Sequence, residues 1–518
     1  MKTTTLLLSI LLCTRVMAQA GELDLNFSAD GIVTTSTGNV RDARAIALQA
    51  DGKILVAGSA ALASKDFAVA RYLPDGTLDA TFSGDGIATI GLSEEDVANT
   101  VLVQPDGKIL LGGYYTTGGG HLFGVARFNS NGTPDTGFGL NGLTLSALSN
   151  TQDPPDDKAF AMALQPDGKI LLAGTTLNGT ETDIGLMRFY PDGSIDNSFS
   201  FDGIVSTDIQ DVDAAYAIAV GQVGRILVAG STCSGLACDY LLVRYTSAGE
   251  LDPTFGVNGV VITDHDAGSF DDGRALAIAG NGMILLGGST GTNLFSSLDF
   301  SVLRYLSNGT LDPSFSGDGK ASLSPGSYGA QGRSVAVQAD GKILLGGATF
   351  DNGSNSGFGL ARFTGNGSVD AAFNSGGWLS TEILGDPGDG RAIALQTDGK
   401  ILMAGSRLAT TNSFAVVRYL NDVGIGIPEI NTPIASAQIF PSLVTDDAVL
   451  RYNLESAGKV SITAIDPTGR IVRTFINSGV RKPGPQQETL SFGGLASGRY
   501  QVVITVDGIR RSLVVTKE

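Results

Sequence analysis

Arg44-Ala-Ile-Ala-Leu-Gln-Ala-Asp-Gly-Lys-Ile-Leu-Val-Ala-Gly58, followed by Phe67-Ala-Val-Ala-Arg-Tyr72 and Leu78-Asp-Ala-Thr-Phe82, is one copy of a sentence written seven times along this chain. Its Asp-Gly-Lys lysine falls at Lys53, Lys108, Lys169, Lys342 and Lys400, with Arg225 and Met283 standing in the fourth and fifth copies. Units spaced 55 to 61 residues apart must pack against their neighbours to bury their faces. Within one copy, Arg44 to Gln49 and Lys53 to Gly58 are β-type runs joined by Asp51-Gly52, which predicts a hairpin with a tight primed turn. Phe67 to Tyr72 is a third strand, ended by Pro74-Asp75-Gly76, and Gly86 to Ile90 is a fourth. Four strands per repeat, no helical period and Gly-rich turns predict an all-β chain built from the blades of a β-propeller. Ala45, Ala47, Ala57 and Gly58 suit the crowded axis, and Lys169-Ile-Leu-Leu-Ala-Gly174, apolar on both faces, suits a blade held between two others.

The segment L-D-x-x-F starts at Leu23, Leu78, Ile195, Leu251, Leu311 and Val369, and in altered form at Pro134. Its first copy precedes any D-G-K, and none follows Val416 to Tyr419. Ile32 to Thr35 is therefore expected to complete the blade of residues 391–420. That gives a seven-bladed propeller closed by its N-terminal strand, with no open sheet edge. An open solenoid is the competing architecture. Arg71, Arg127, Arg188, Arg244, Arg304, Arg362 and Arg418 recur in every copy, as do Asp24, Asp79, Asp135, Asp196, Asp252, Asp312 and Asp370. Features common to all copies serve the blade, so these are expected as Arg–Asp pairs and turn caps. Phe27, Phe82, Phe138, Phe199, Phe255, Phe315 and Phe373 are expected as packing between blades.

The D-G-K-I-L and V-A-R-Y pattern resembles the bacterial delta-60 repeat family over residues 23–422, and more distantly the NHL-type propeller repeats. Neither family has one shared activity, so the resemblance implies a fold and leaves function open.

Lys2, the apolar run Leu6 to Leu12 and Val16-Met17-Ala18 read as an export signal over residues 1–18, with cleavage after Ala18 or Ala20. Cys13 raises a lipoprotein alternative, opposed by Leu12 before it. No later stretch has the ~18 apolar residues of a membrane helix. Cys233 and Cys238 share one loop and predict a local disulfide. The net charge of −18 argues against a nucleic-acid partner. Residues 439–518 nevertheless hold ten Lys/Arg against seven Asp/Glu, which marks a second body after a linker at 423–438.

That second body shows six or seven short β runs, as a small Ig-like β-sandwich does. It resembles the C-terminal sorting domain of the type IX secretion system (the Por-type signal). The matching residues include Phe440-Pro441, Tyr452-Asn453-Leu454, Asp466, Gly469-Arg470, Gly498-Arg-Tyr500 and Leu513 to Lys517. The usual aromatic-Pro-Asn-Pro opening is here Phe440-Pro441-Ser442-Leu443. The resemblance implies passage through the periplasm and outer membrane by that machinery, removal of the domain, and a surface-attached or secreted product. An ordinary adhesion module is the alternative.

Chemistry is sparse. Gly287-Gly288-Ser289-Thr290-Gly291 matches a nucleophile elbow, but no helix is expected after it. No H-E-x-x-H, phosphate-binding loop or complete EF-hand is present. No catalytic residue or cofactor is therefore assigned. Acid-rich loops at Asp153 to Asp157, Asp208 to Asp213 and Asp264-His265-Asp266 with Asp271-Asp272 leave Ca²⁺ open. The leading expectation is a binding, adhesion or structural module for a protein or glycan ligand. The alternative is a secreted glycan hydrolase or lyase, which should bring carboxylates, Tyr115, His121 or His265 together in one deep pocket. Trp378 is expected to pack.

Overall fold

The computed structural model describes residues 20–421 and 434–517, apart from short stretches at 62–63, 93, 149–153, 280, 293–297, 327–328, 352–354, 441–442, 455–456, 467–469 and 507–508. The signal segment 1–18, most of the linker, Asp153, Pro441 and Gly469 lie outside them. The chain divides into two compact units, one ending at Val423 and the other starting at Gly424.

The first unit is a β-propeller. In its first repeat an inner strand Val40–Leu48 pairs with Ile54–Ala61, then Lys65–Tyr72, then an outer strand Ile87–Ile90, all antiparallel. The same group recurs behind inner strands Asp96–Val103, Lys158–Leu164, Val212–Val220, Phe270–Ile278, Ala330–Val337 and Gly388–Leu395. These seven inner strands touch one another in cyclic order, the last against the first. The outer strand of the final group is Ile32–Thr35, with Ile32 opposite Val417 and Val33 opposite Val416. First and last strands thus share one sheet, and every outer strand is short.

The hairpin turn differs from the sequence expectation. A two-residue primed turn needs positive φ at both central residues. Here Gly52 alone has it (φ 82°), while Gly52 N–H donates to Gln49 O and Gln49 N–H to Lys53 O, making a longer loop. The Asp51 carboxylate accepts the Lys53 N–H at 3.2 Å, a bond that holds the aspartate in an ordinary conformation.

Crowding at the axis also has a more specific cause than convergence. Each inner strand carries a one-residue bulge, at Arg44, Asn99, Phe160, Tyr216, Arg274, Arg333 and Arg391. The bulge pushes the carbonyl two residues earlier toward the second strand. It lies only 1.7–2.2 Å from where a Cβ would stand on Gly58, Gly113, Gly174, Gly230, Gly288, Gly347 and Gly405. The last glycine of D-G-K-I-L-x-x-G therefore makes room for a backbone oxygen. A bulge re-aims the side chain it carries, so this glycine is what allows one inner-strand residue per repeat to turn toward the axis.

The second unit has a three-stranded sheet (Ile434–Phe440, Asp447–Leu454, Gly484–Ser491) and a five-stranded sheet containing Gly458–Ile465 and Gly498–Val506. Burial alternates along Asp447–Leu454 and Gly458–Ile465, as expected for strands covered on one face. Leu450, Tyr452, Ile462, Phe492, Val502 and Ile504 are in the core between them. Among the described residues no helix is long and apolar enough to cross a membrane.

Candidate functional site: the axial ring of bulged side chains

The bulged residues reach from blade to blade around the axis. Arg44 Nη1 donates to Asn99 Oδ1 at 3.3 Å, and Asn99 Nδ2 donates to the Ala159 carbonyl at 2.7 Å. Phe160 lies against Tyr216, with ring centroids 5.2 Å apart, and the Arg274 guanidinium sits 3.7 Å over the Tyr216 ring. Arg333 donates to Asp389 and, at 3.0 Å, to the Gly390 carbonyl, while Arg391 Nε donates to the other Asp389 oxygen at 2.8 Å. Asp272 accepts Arg274 Nε on both oxygens, at 2.7 and 2.8 Å. Asp42 is held by Lys65 at 2.8 Å. Four arginines thus occupy adjacent positions of the ring, an aromatic pair another two, and Asn99 the seventh.

Charge at this ring is strained. Burial and the neighbouring Arg391 pull the Arg44 guanidinium below its usual range, and Arg44 Nε is shut off from solvent with no hydrogen-bond partner. Burial also lowers Arg333, against the pull of Asp389. Burial would raise Asp389, but Arg333 and Arg391 hold it below the usual carboxylate range. Burial pushes the Tyr216 phenol up. A cavity of about 230 Å³ opens beside Tyr216, Asp272, Arg274 and Gln331, with Cys233 and Cys238 among its lining residues. The structure joins those two cysteines in a disulfide across adjacent strands.

None of the seven axial residues was singled out as a site by sequence reasoning. The signal is small–X–small, as in Ala43-Arg44-Ala45, Ala215-Tyr216-Ala217 and Gly332-Arg333-Ser334, with X free to vary while its neighbours stay small.

The recurrent Arg–Asp set lies elsewhere in each blade, at the end of the third strand. In all seven copies Arg Nε contacts Asp Oδ2 at 2.7–2.9 Å, and the guanidinium lies 4.4–4.6 Å over the buried phenylalanine. The same arginine reaches into the following repeat. Arg71 donates to Ser130 O, Arg127 to Pro191 O, Arg188 to Ser247 O, Arg244 to Ser307 O and Arg304 to Gly365 O. Arg362 uses the Asn421 side chain instead, and Arg418 returns to Pro74 O at 2.6 Å. The Asp-Gly-Lys lysines add a second cation to six of the aspartates, with Arg225 as the substitute; the fifth repeat has Met283 there.

The candidates for acid–base work do not converge. Tyr115 is fully buried in the core, 4.2 Å from Phe67. His121 contacts Asp156 at 2.5 Å on a groove of about 830 Å³ shared with Arg41, Asp42, Lys65, Glu94 and Glu95. His265 contacts Asp266 at 3.0 Å, between later blades. Ser289 of the elbow-like motif is in a strand, and its hydroxyl accepts the Gly332 N–H at 2.9 Å. Trp378 packs against an inter-blade core cluster.

Carboxylates gather where one blade meets the next. Asp183, Asp208 and Asp213 have oxygens within 4.8 Å of one another, and so do Asp239, Asp264 and Asp271. Hydroxyl donors already occupy much of the second group: Ser269 donates to Asp264 and Asp271 at 3.0 Å each, and Thr290 to Asp271 at 2.6 Å. Asp96, at the matching place two blades before Asp213, is fully buried and accepts the N–H groups of Leu92 (2.7 Å) and Thr116 (3.2 Å). Burial, with Asp66 and Glu94 nearby, pushes it up to about 6. The folded protein therefore holds a proton there that the unfolded chain releases. This stabilisation is full below about pH 4 and is lost as the pH rises through about 6. Calorimetry should show the melting midpoint falling between about pH 5 and about pH 7.5, and falling less in Asp96→Asn. Equal slopes would remove Asp96 as the cause.

The repeats match a family described as "Domain of unknown function (DUF5122) beta-propeller" at residues 49–82, 104–138, 165–199, 279–315, 338–373 and 396–422. No curated protein matches the chain. Similar solved structures include a fungal alcohol oxidase of the AA5 family in complex with copper (14% identity, TM-score 0.44, covering 94% of this chain and 98% of that one). They also include the polysaccharide lyase Uly1 (10%, 0.42, 73% and 89%) and an endo-arabinase from Bacteroides thetaiotaomicron (10%, 0.29, 50% and 93%).

Proposed function

We propose that this β-propeller repeat protein is an exported binding module, displayed on the cell surface or secreted, whose ligand is met at the axial end of a seven-bladed ring. The observation that carries the reading is the axial ring itself. The bulged inner-strand position, which varies from repeat to repeat, holds Arg44, Arg274, Arg333 and Arg391 beside Phe160 and Tyr216. Seven four-stranded groups, the last completed by Ile32–Thr35, support the blade count and the delta-60 assignment. A hydrolase or lyase needs a free acid or base. The carboxylates here, Asp42, Asp272 and Asp389, are each tied to a cation, and burial keeps the Tyr216 phenol protonated, so it supplies no ready base. Binding is therefore the better-supported function.

Delivery through a cleavable type IX sorting domain is part of the same proposal. Its support is the sequence likeness of residues 439–518, their Ig-like pair of sheets, and the placement of three motif residues. Asp466 caps a turn by accepting the Arg470 N–H at 3.1 Å, the Tyr500 hydroxyl donates to the Ala496 carbonyl at 2.7 Å, and Lys517 Nζ donates to the Thr445 carbonyl. At the other end, Ala20 is buried and its carbonyl accepts the Asn374 N–H at 3.0 Å. In the six other repeats a turn carbonyl, such as Asp75 O for Ser28, takes that place. A cut after Ala18 keeps this joint, and a cut after Ala20 deletes it.

One preparation tests these points. Protein recovered outside a Gram-negative host with this machinery should begin at Gln19, lack residues 439–518, be retained on an immobilised polysaccharide and release no product. An intact C-terminus outside the cell would end the sorting assignment, and a start at Gly21 would end the closing role of Ala20. Steady release of shortened sugars would replace binding with catalysis.

A further inference from the structure

The axial ring has an unequal distribution of chemistry that points to one ligand class. In the cyclic order of the inner strands, the aromatic pair Phe160–Tyr216 belongs to the third and fourth repeats, and the strand across the axis from them is the seventh, which carries Arg391. Arg44 stands beside Arg391 on the first repeat. Its Nη1 makes a 3.3 Å bond to a neutral amide, and its Nε makes none. By contrast Arg274 has Asp272 to itself, while Arg333 and Arg391 share Asp389. Four guanidiniums and the Lys65 ammonium thus face three carboxylates, with Asp42 held by Lys65, and the unfilled fork is that of Arg44. A buried donor without an acceptor is unfavourable unless something arrives to accept from it.

Resting on the reading of this end as a binding site, we propose that it takes a carboxylate borne on a ring, as in a uronate sugar residue or a flat carboxylic acid. The carboxylate meets Arg44 and Arg391, and the ring lies toward Phe160 and Tyr216.

A guanidinium fork matches the two oxygens of a carboxylate. An aromatic face across the axis from it adds an apolar contact that acetate could not use. The lowered guanidinium affinities of Arg44 and Arg333, caused by burial and by the crowding of like charges, fit a site that an arriving anion relaxes. The chain's net charge of −18 disfavours approach of a long polyanion, whereas a single carboxylate beside Arg44 and Arg391 meets mainly local positive charge.

The test is calorimetric titration of the purified full chain at low ionic strength with glucuronate, benzoate, glucose, acetate and sulfate. Glucuronate or benzoate should bind at least about tenfold more tightly than glucose, acetate or sulfate. The tighter of the two identifies a sugar or an aromatic acid as the source, and either upholds the assignment. Arg44→Gln should weaken that binding by about tenfold or more, yet leave the melting midpoint of the free protein unchanged or raised, because it gives up only the 3.3 Å bond to a neutral amide and relieves the repulsion from Arg391. Phe160→Ala should weaken ring-borne carboxylates several-fold and leave acetate unaffected. Equal binding of glucose and glucuronate, or unaltered binding by Arg44→Gln, would overturn the proposal. Retention on a neutral polysaccharide without any carboxylate binding overturns this assignment alone. If no polysaccharide is retained and no acid binds, the binding function falls with it.

Discussion

Asp24→Ala should destabilise the propeller by about 3–5 kcal/mol in a denaturant titration, the loss expected when one partner of a buried ion pair is removed. Asp24 is 1% exposed, accepts Arg418 Nε at 2.8 Å and faces Lys400 Nζ at 3.2 Å. Arg418 stays where it is, over Phe27, and would be left buried without its counter-ion. Asp196→Ala is the control, since Asp196 meets Arg188 at 2.7 Å and Lys169 at 3.1 Å in the same geometry. The difference lies in chain topology. Asp196 and Arg188 are eight residues apart, whereas Asp24 and Arg418 are 394 apart. Only Asp24→Ala should therefore speed amide hydrogen exchange at 32–35 and 414–417, where first and last strands pair. Identical exchange in the two variants would show that this joint adds nothing to closure.

Gly347→Ala is the second large effect, and it should exceed about 3 kcal/mol. The new Cβ would stand 1.7 Å from the Gln331 carbonyl oxygen, a backbone atom that no rotamer change can move. Relief requires shifting the bulge that carries Arg333, so carboxylate binding should fall together with the urea midpoint. Gly317→Ala separates this from backbone strain, because Gly317 has φ +96° with nothing within 4 Å of a Cβ. It should lose only about 1–2 kcal/mol. Comparable losses in both would mean that the bulge accommodates a methyl group.

Much of the fold was legible because its cues are local and repeated. The run from Phe67 to Tyr72 marked a strand of the repeat, and the unpaired first L-D-x-x-F at Leu23 led to the expectation that Ile32 to Thr35 completes the blade of residues 391–420, where Ile32 lies opposite Val417. The hairpin loop was misjudged because Asp-Gly alone does not reveal that Gln49 and Lys53 close the turn between them. The axial site was missed for a related reason. Arg44 reads as an ordinary member of Arg-Ala-Ile-Ala-Leu-Gln, and only a one-residue slip in pairing turns it toward the axis. Tyr115 and His121 failed as partners because His121 pairs across the hairpin with Thr116, whose side chain alternates to the face opposite Tyr115, leaving one in the core and the other on a groove.

The pairing of Ile32–Thr35 with Phe414–Val417 imposes an order of events in time. A ribosome or a secretion pore releases the amino-terminal strand first, and its partner follows about 380 residues later. At roughly 5–20 residues per second, that strand waits about 20–80 s with its edge unsatisfied. A chain cut short by stalling or proteolysis never receives the latch, and it keeps Phe27 and Asp24 in solvent as a mark of incompleteness. Finishing the ring and sealing it are the same step.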